Sequence, residues 1–182
     1  NQLLTMRGIE TRGACRVRVV HPVAGAMEVY SLHLDHMWEQ NRHAQLEQLH
    51  KRIYSTKEPL PHVIMGDFNA ITKSDYSPEY EEENIRLVRE RGCWETPTYT
   101  LTEYFAGLGY VDFWRKCNPG VLDTEVTTCA YDTRIDYIWI SKELAPLIDW
   151  EHTNTYSHIL NGVHHSDHFP VLANIQFKPK AS

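Results

Sequence analysis

"PHVIMGDFNA", residues 61–70, holds a short apolar run, Val63 to Met65, between a proline and a glycine, and then ends on an aspartate and an asparagine. A run bounded in this way suits a central strand buried on both faces. Asp67 after Gly66 is a residue that commonly makes an Asx turn, and Asn69 two positions on tolerates backbone angles that most side chains avoid. Taken alone, both read as turn residues. The same arrangement recurs elsewhere, however, where an extended run ends or begins on groups that are costly to bury unpaired. These are His33 in "SLHLDH", Asp136 in "RIDYIW", and Asp167 with His168 in "SDHFPV".

Working outward, "ACRVRVVHPVAGAMEVYSLHLDH" contains two β-rich runs, Cys15 to Val20 and Met27 to Leu34, separated by Pro22 and Gly25, which predicts a hairpin. Trp38, Arg42, Leu46, Leu49 and Ile53 recur at helical spacing and predict an amphipathic helix. Ser77 before Pro78, glutamates at 79 and 81–83, arginines at 86, 89 and 91, and Gly92 order charge as a helix dipole prefers, so a helix is predicted from Pro78 to Arg91. "LTEYFAGLGYVDFW" reads as a short helix stopped by Gly107 or Gly109. In "RIDYIWIS", Ile135, Tyr137 and Trp139 share one face and Asp136, Ile138 and Ile140 the other, a strand with one carboxylate early in an apolar row. Ser141 is read as the cap of a short helix through Leu144, and "PVLANIQF" as a half-buried strand. One sheet-rich α+β layered domain over residues 1–182 follows.

Composition narrows the classes. At 182 residues and 42% apolar content the chain can bury a substantial core. A net charge of −6 argues against non-specific binding of polyanions, although a bound divalent cation would reverse the sign locally. No run of apolar residues approaches bilayer-spanning length. The four cysteines, Cys15, Cys93, Cys117 and Cys129, form no Cys-x-x-Cys pair, which favours reduced thiols and an intracellular setting.

The polar strand ends gain meaning together. Hydrolysis of a phosphate ester needs neutralised phosphoryl oxygens, an activated water and a stabilised leaving oxygen. Carboxylate and amide oxygens suit Mg²⁺, and a histidine held by a carboxylate supplies an oriented, readily charged donor. "LHLDH", "GDFNA", "RIDYI" and "SDHFPV", in this order, resemble the motifs of the endonuclease/exonuclease/phosphatase superfamily from about His33 to the last strand. The resemblance implies a DNase I-like four-layer α/β/β/α sandwich and a hydrolase of phosphate esters, acting on nucleic acid or a small phosphodiester. It further implies Mg²⁺, or Mn²⁺, as cofactor. Asp67 is implied to position the attacking water and, with Asp167, to bind the metal; Asn69 to donate to the phosphate; and His168, oriented by Asp136, to contact the scissile phosphate. His33 is implied to face the phosphate from a neighbouring strand. Leu34, Phe68 and Ile135 are packing residues.

One departure stands beside the match. The family's metal-binding Asn and its "QE" glutamate ahead of the histidine strand are not visible. Glu10 and Glu28, the only glutamates before His33, read as structural or solvated. The expectation is an incomplete domain, either a fragment whose N-terminal strands lie on another piece or a truncated family member, with weak Mg²⁺ binding by residues 1–182 alone. Two alternatives remain open: an impaired family member serving as a binding module, and a zinc hydrolase using His33 and His36 or the His164, His165, His168 cluster. The zinc reading is disfavoured because His33 and His36, if both in a strand, face opposite sides. Substrate identity and oligomeric state are left open. Tyr76, Tyr80, Trp94, Tyr99, Tyr104 and Trp114 are read as core residues before base-stacking ones.

Overall fold

A computed structural model describes residues 12–157 and 166–179. Strand β1 (Ala14–His21) turns through Gly25, at a φ of 77°, into β2 (Gly25–His33). The hairpin register sets Ala14 opposite Leu32 and His21 opposite Gly25. Helix α1 (Glu39–Ile53) then returns the chain to β3 (His62–Asp67), which lies parallel to β2. Next come α2 (Pro78–Tyr80), a π-helical segment (Glu81–Arg86), α3 (Leu87–Arg91) and α4 (Thr100–Gly107). The two-residue β4 (Val111–Asp112) leads into α5 (Phe113–Cys117), and β5 (Asp136–Ile140) completes a five-stranded sheet of order β1-β2-β3-β5-β4. A second sheet pairs β6 (Asn154–Ser157) with β7 (Val171–Asn174), antiparallel.

β3 sits at the middle of the large sheet, where its Val-Ile-Met run demands burial on both sides. The alternation in β5 shows how the two cores form. Tyr137 and Trp139 join Tyr30, Leu32 and Ile64 under Leu46, Leu49 and Ile53 of α1 and Leu101 and Phe105 of α4. Ile138 and Ile140 face the other way, with Met27 and Val63, and are covered by Val171, Ala173, Ile175 and Phe177 from β7 and beyond. Helices α1 and α4, the large sheet and the small sheet thus stack as helix, sheet, sheet, three of the layers of the α/β/β/α order that the motifs imply. Each fully buried Leu or Phe here contributes about 2–3 kcal/mol by leaving water.

The hairpin, α1, β3, the short helix before Gly109 and the strand after Pro170 form as expected. Several boundaries differ. Trp38 is the extended N-cap of α1, not a core position of the helix, because Asp35 accepts from the backbone amides of Met37 and Trp38 and fixes a turn there. The helix over 78–91 is π-helical in its middle, and this turns Asn84, Ile85, Val88 and Arg89 toward a single cleft. Ser141 does accept from the Leu144 amide, but Pro146 interrupts the segment and only turns and a 3-10 step (Ala145–Leu147) form. β4 and β6 escaped prediction: one is two residues long, and "NTYS" has no apolar alternation. Glu28 is structural, as expected, accepting from Tyr30 and Arg18.

Candidate active site

Register, more than sequence distance, assembles the site. β2 and β3 pair His33 with Asp67, and β3 and β5 pair Asp67 with Asp136, so three polar strand ends lie side by side at one end of the sheet. This closeness depends on Gly66. Its φ is 130°, and a Cβ there would sit 2.0 Å from the carbonyl oxygen of Leu32. No other residue lets β2 approach β3 at that point.

Asp67 is held from its own loop. The Asn69 amide N–H donates to its Oδ1 at 2.7 Å, and the Asn69 side-chain nitrogen donates to its Oδ2 at 3.2 Å and to the Leu34 carbonyl at 3.1 Å. Asn69 adopts a left-handed backbone with a φ of 49°, the conformation its side chain tolerates best after glycine. Both of its amide protons serve the protein, so contact with a phosphate would exchange one of these bonds. His33 Nε2 lies 3.3 Å from Asp67 Oδ2.

His168 arrives from the far end of the chain. The segment around it pairs with residues 128–130 through Phe169 N–H to the Thr128 carbonyl and Ala130 N–H to the Asp167 carbonyl, both at 2.8 Å. Its Nδ1 lies 2.9 Å from Asp136 Oδ2, and its Nε2 is then aimed at Asp67 Oδ2, 3.8 Å away. Ser166 accepts from the His168 amide. His164 and His165 lie outside the described residues.

Thr128 was not foreseen. It is fully buried, donates from Oγ1 to Asp136 Oδ2 at 2.8 Å, and accepts from the amides of Ile135 and Asp136. Nothing in "VTTCAYD" singles it out, since its role depends on a loop folding back on β5. Behind the same loop, buried Arg134 bonds Asp75 and both oxygens of Asp112, while Arg115 also reaches Asp75. This pins the "RIDY" segment.

The electrostatics follow from this packing. Burial, and then the facing Asp136 carboxylate, raise the pKa of Asp67 above the ordinary value; the Asn69 amide, His33 and His168 pull it back only in part. Burial works against the charged form of His168, but its hydrogen bond to Asp136 and the charges of Asp136, Asp67 and Asp167 outweigh it and raise the pKa. The arrangement therefore offers a desolvated carboxylate that a cation or proton would relieve, facing an imidazole biased toward its charged form.

His33, Asp67, Asn69, Asp167 and His168 all line one cleft of about 480 Å³. Asp136 stands behind His168 and does not line it. His36 lines the cleft beside His33, which corrects the expectation of opposite faces: β2 ends at His33, and His36 lies in the following turn. Among the described residues no group of three or more His, Cys, Asp or Glu side chains is set to hold a metal ion. The carboxylates of Asp67 and Asp167 are hard oxygen donors that fit a Mg²⁺ held in part by water. No helix among the described residues is long and apolar enough to cross a membrane.

No family profile matches the sequence, and no curated protein sequence matches it either. Comparison of structures does give relatives. The chain is similar to the human nocturnin catalytic domain with bound sulfate (TM-score 0.58, 21% identity, 97% of this chain and 57% of that one). It is similar to an endonuclease/exonuclease/phosphatase from Beutenbergia cavernae (TM-score 0.62, 19% identity, 93% and 40%). It is also similar to the 3′ phosphatase NExo from Neisseria bound to product DNA hairpin (TM-score 0.60, 17% identity, 93% and 66%). The chain thus spans between 40% and 66% of the length of these structures. At such identities the likeness shows the fold alone: the chain has the DNase I-like fold that these structures share.

Proposed function

We propose that this protein hydrolyses phosphate esters by attack of water at phosphorus. The observation that carries the reading is the pair of facing groups at the end of the sheet: Asp67, held by Asn69, 3.8 Å from an imidazole that Asp136 orients. Asp67 accepts a proton from the attacking water as the new P–O bond forms. His168, charged and fixed through Nδ1, donates from Nε2 to a phosphoryl oxygen, where negative charge grows as the ester P–O bond breaks and the leaving oxygen takes up a proton from solvent. Thr128 keeps Asp136 in place, and His33 adds a second imidazole on the opposite side of Asp67. Mg²⁺ or Mn²⁺, held by Asp67 and Asp167, would supply neutralisation of the phosphoryl oxygens. Support for the ester class comes from the fold, shared with structures described as a 3′ phosphatase and as an abasic-site (AP) endonuclease from Archaeoglobus fulgidus.

The test is a substrate panel assayed on the purified protein. Plasmid DNA, an abasic oligonucleotide, a phosphomonoester and sphingomyelin are compared with and without Mg²⁺. Release of product from at least one ester, abolished by EDTA and restored by Mg²⁺, is expected. Failure to hydrolyse any of them would leave the fold acting as a binding module.

A further inference from the structure

Three aromatic side chains around the cleft are neither core nor part of the hydrolytic machinery. Trp38 is 47% exposed, Trp94 49% and Tyr131 58%, and all three line the cleft that holds His33, Asp67, Asn69, Asp167 and His168. Large aromatics at such exposure leave area in water that a ligand would cover. Their backbones are nevertheless fixed. Trp38 caps α1 and is tied through the Asp35 turn; Trp94 precedes Glu95, whose carboxylate accepts from the Glu39 amide; Tyr131 follows Ala130, which bonds the Asp167 carbonyl. Trp94 and Tyr131 meet edge to face, with centroids 5.4 Å apart and planes at 86°. Aromatic rings thus stand at fixed places beside the phosphate-facing groups.

We propose that the cleft takes a phosphate ester carrying an unpaired nucleobase, stacked on Trp94 with Trp38 and Tyr131 beside it. The inference rests on the reading of His33, Asp67, Asn69 and His168 as the phosphate end of the cleft. Arg12, Arg89 and the histidines complement a phosphate beside the carboxylates of Asp67, Glu95 and Asp167, and the rings complement a planar heterocycle. A volume of about 480 Å³ is in the range of small-molecule sites and accommodates one nucleotide, not a base-paired duplex. Of the aromatics singled out in the sequence, only Trp94 proves to stand here; Tyr76 and Trp114 are buried.

The experiment is an equilibrium titration of tryptophan fluorescence in EDTA, so that binding is read without turnover. AMP, ribose 5-phosphate, a short single-stranded oligonucleotide, its blunt duplex and phosphatidylserine vesicles are compared. Stacking changes affinity roughly 5- to 150-fold per base, so AMP should bind at least about fivefold more tightly than ribose 5-phosphate. Trp94→Ala should collapse this ratio and Trp94→Phe should keep most of it. Tyr131→Ala, at a more exposed position, should reduce the ratio and serves as the second variant if Trp94→Ala does not fold. An oligonucleotide binding more tightly than AMP identifies a strand end as the source of the base; equal binding identifies a mononucleotide; both support the proposal. Equal affinity for AMP and ribose 5-phosphate, a duplex bound as tightly as the single strand, a preference for vesicles, or no binding at all overturns it. A base preference without hydrolysis of any ester would retain this inference and refute the hydrolase, and hydrolysis without base preference would do the reverse.

Discussion

Replacing Thr128 by valine changes a methyl-sized group and nothing else in shape, yet it removes the one hydroxyl on which the Asp136 end of the site depends. Three hydrogen bonds are lost: the donation to Asp136 Oδ2 at 2.8 Å, and the acceptances from Ile135 N–H at 3.0 Å and Asp136 N–H at 3.1 Å. Thr128 is fully buried, so water does not replace them. A buried donor left unpaired costs about 1–3 kcal/mol, and the two amides together give a destabilisation of roughly 2–6 kcal/mol. For a domain of this size that is roughly 4–24 °C in Tm. Thr128→Ser keeps the hydroxyl and loses only a methyl, so it should cost no more than about 1 kcal/mol. Urea unfolding followed by tryptophan fluorescence separates the two, provided the m value is unchanged. A valine variant within about 0.5 kcal/mol of wild type, a difference ordinary for surface substitutions, would refute the reasoning. So would a serine variant as unstable as the valine.

Other substitutions probe the same framework. Gly66→Ala should prevent accumulation of folded protein, because the new Cβ meets the Leu32 carbonyl at 2.0 Å on a backbone at a φ of 130°; a folded variant with wild-type circular dichroism would contradict the close approach. Arg134→Met should cost about 3–5 kcal/mol by stranding the carboxylate of Asp112, read by thermal unfolding, and a loss under about 1 kcal/mol would show that the charges rearrange. His62 is fully buried between the Leu60 carbonyl and the Tyr110 hydroxyl, and burial holds its pKa below the ordinary value. The unfolded chain therefore takes up a proton near pH 6.5 that the folded chain refuses, and stability present above that pH is lost as pH falls below it. Urea midpoints from pH 8 to 5.5 should show this fall, and His62→Gln should flatten it; an unchanged slope would reject the assignment.

How much of this was legible beforehand divides by the range of the interaction. Local patterns gave the hairpin, α1, β3 and the two-faced β5, since periodicity is written in neighbouring residues. The residues His33, Asp67, Asn69, Asp136, Asp167 and His168 could be named because each lies in a short motif at or near the end of an extended run. What the sequence withheld was pairing. That Asp67 lies between His33 and Asp136 is a fact of register, and that Thr128 holds Asp136 is a fact of a loop closing on a strand. Trp38 shows the same limit in reverse: its helical spacing to Arg42 suggested a core position, but the Asp35 turn places it before the helix and at the cleft.

The central claim, that Asp67 and His168 act together on one phosphate, is tested most directly by a double-mutant cycle on the best substrate of the panel. Initial rates are compared for wild type, Asp67→Asn, His168→Gln and the double variant at saturating Mg²⁺. Each single change should lower the rate by about 100-fold or more, and the double variant should fall little below the slower single one, as groups acting in one step do. A single variant at the wild-type rate, or a double variant whose loss is the product of the two, would contradict the account.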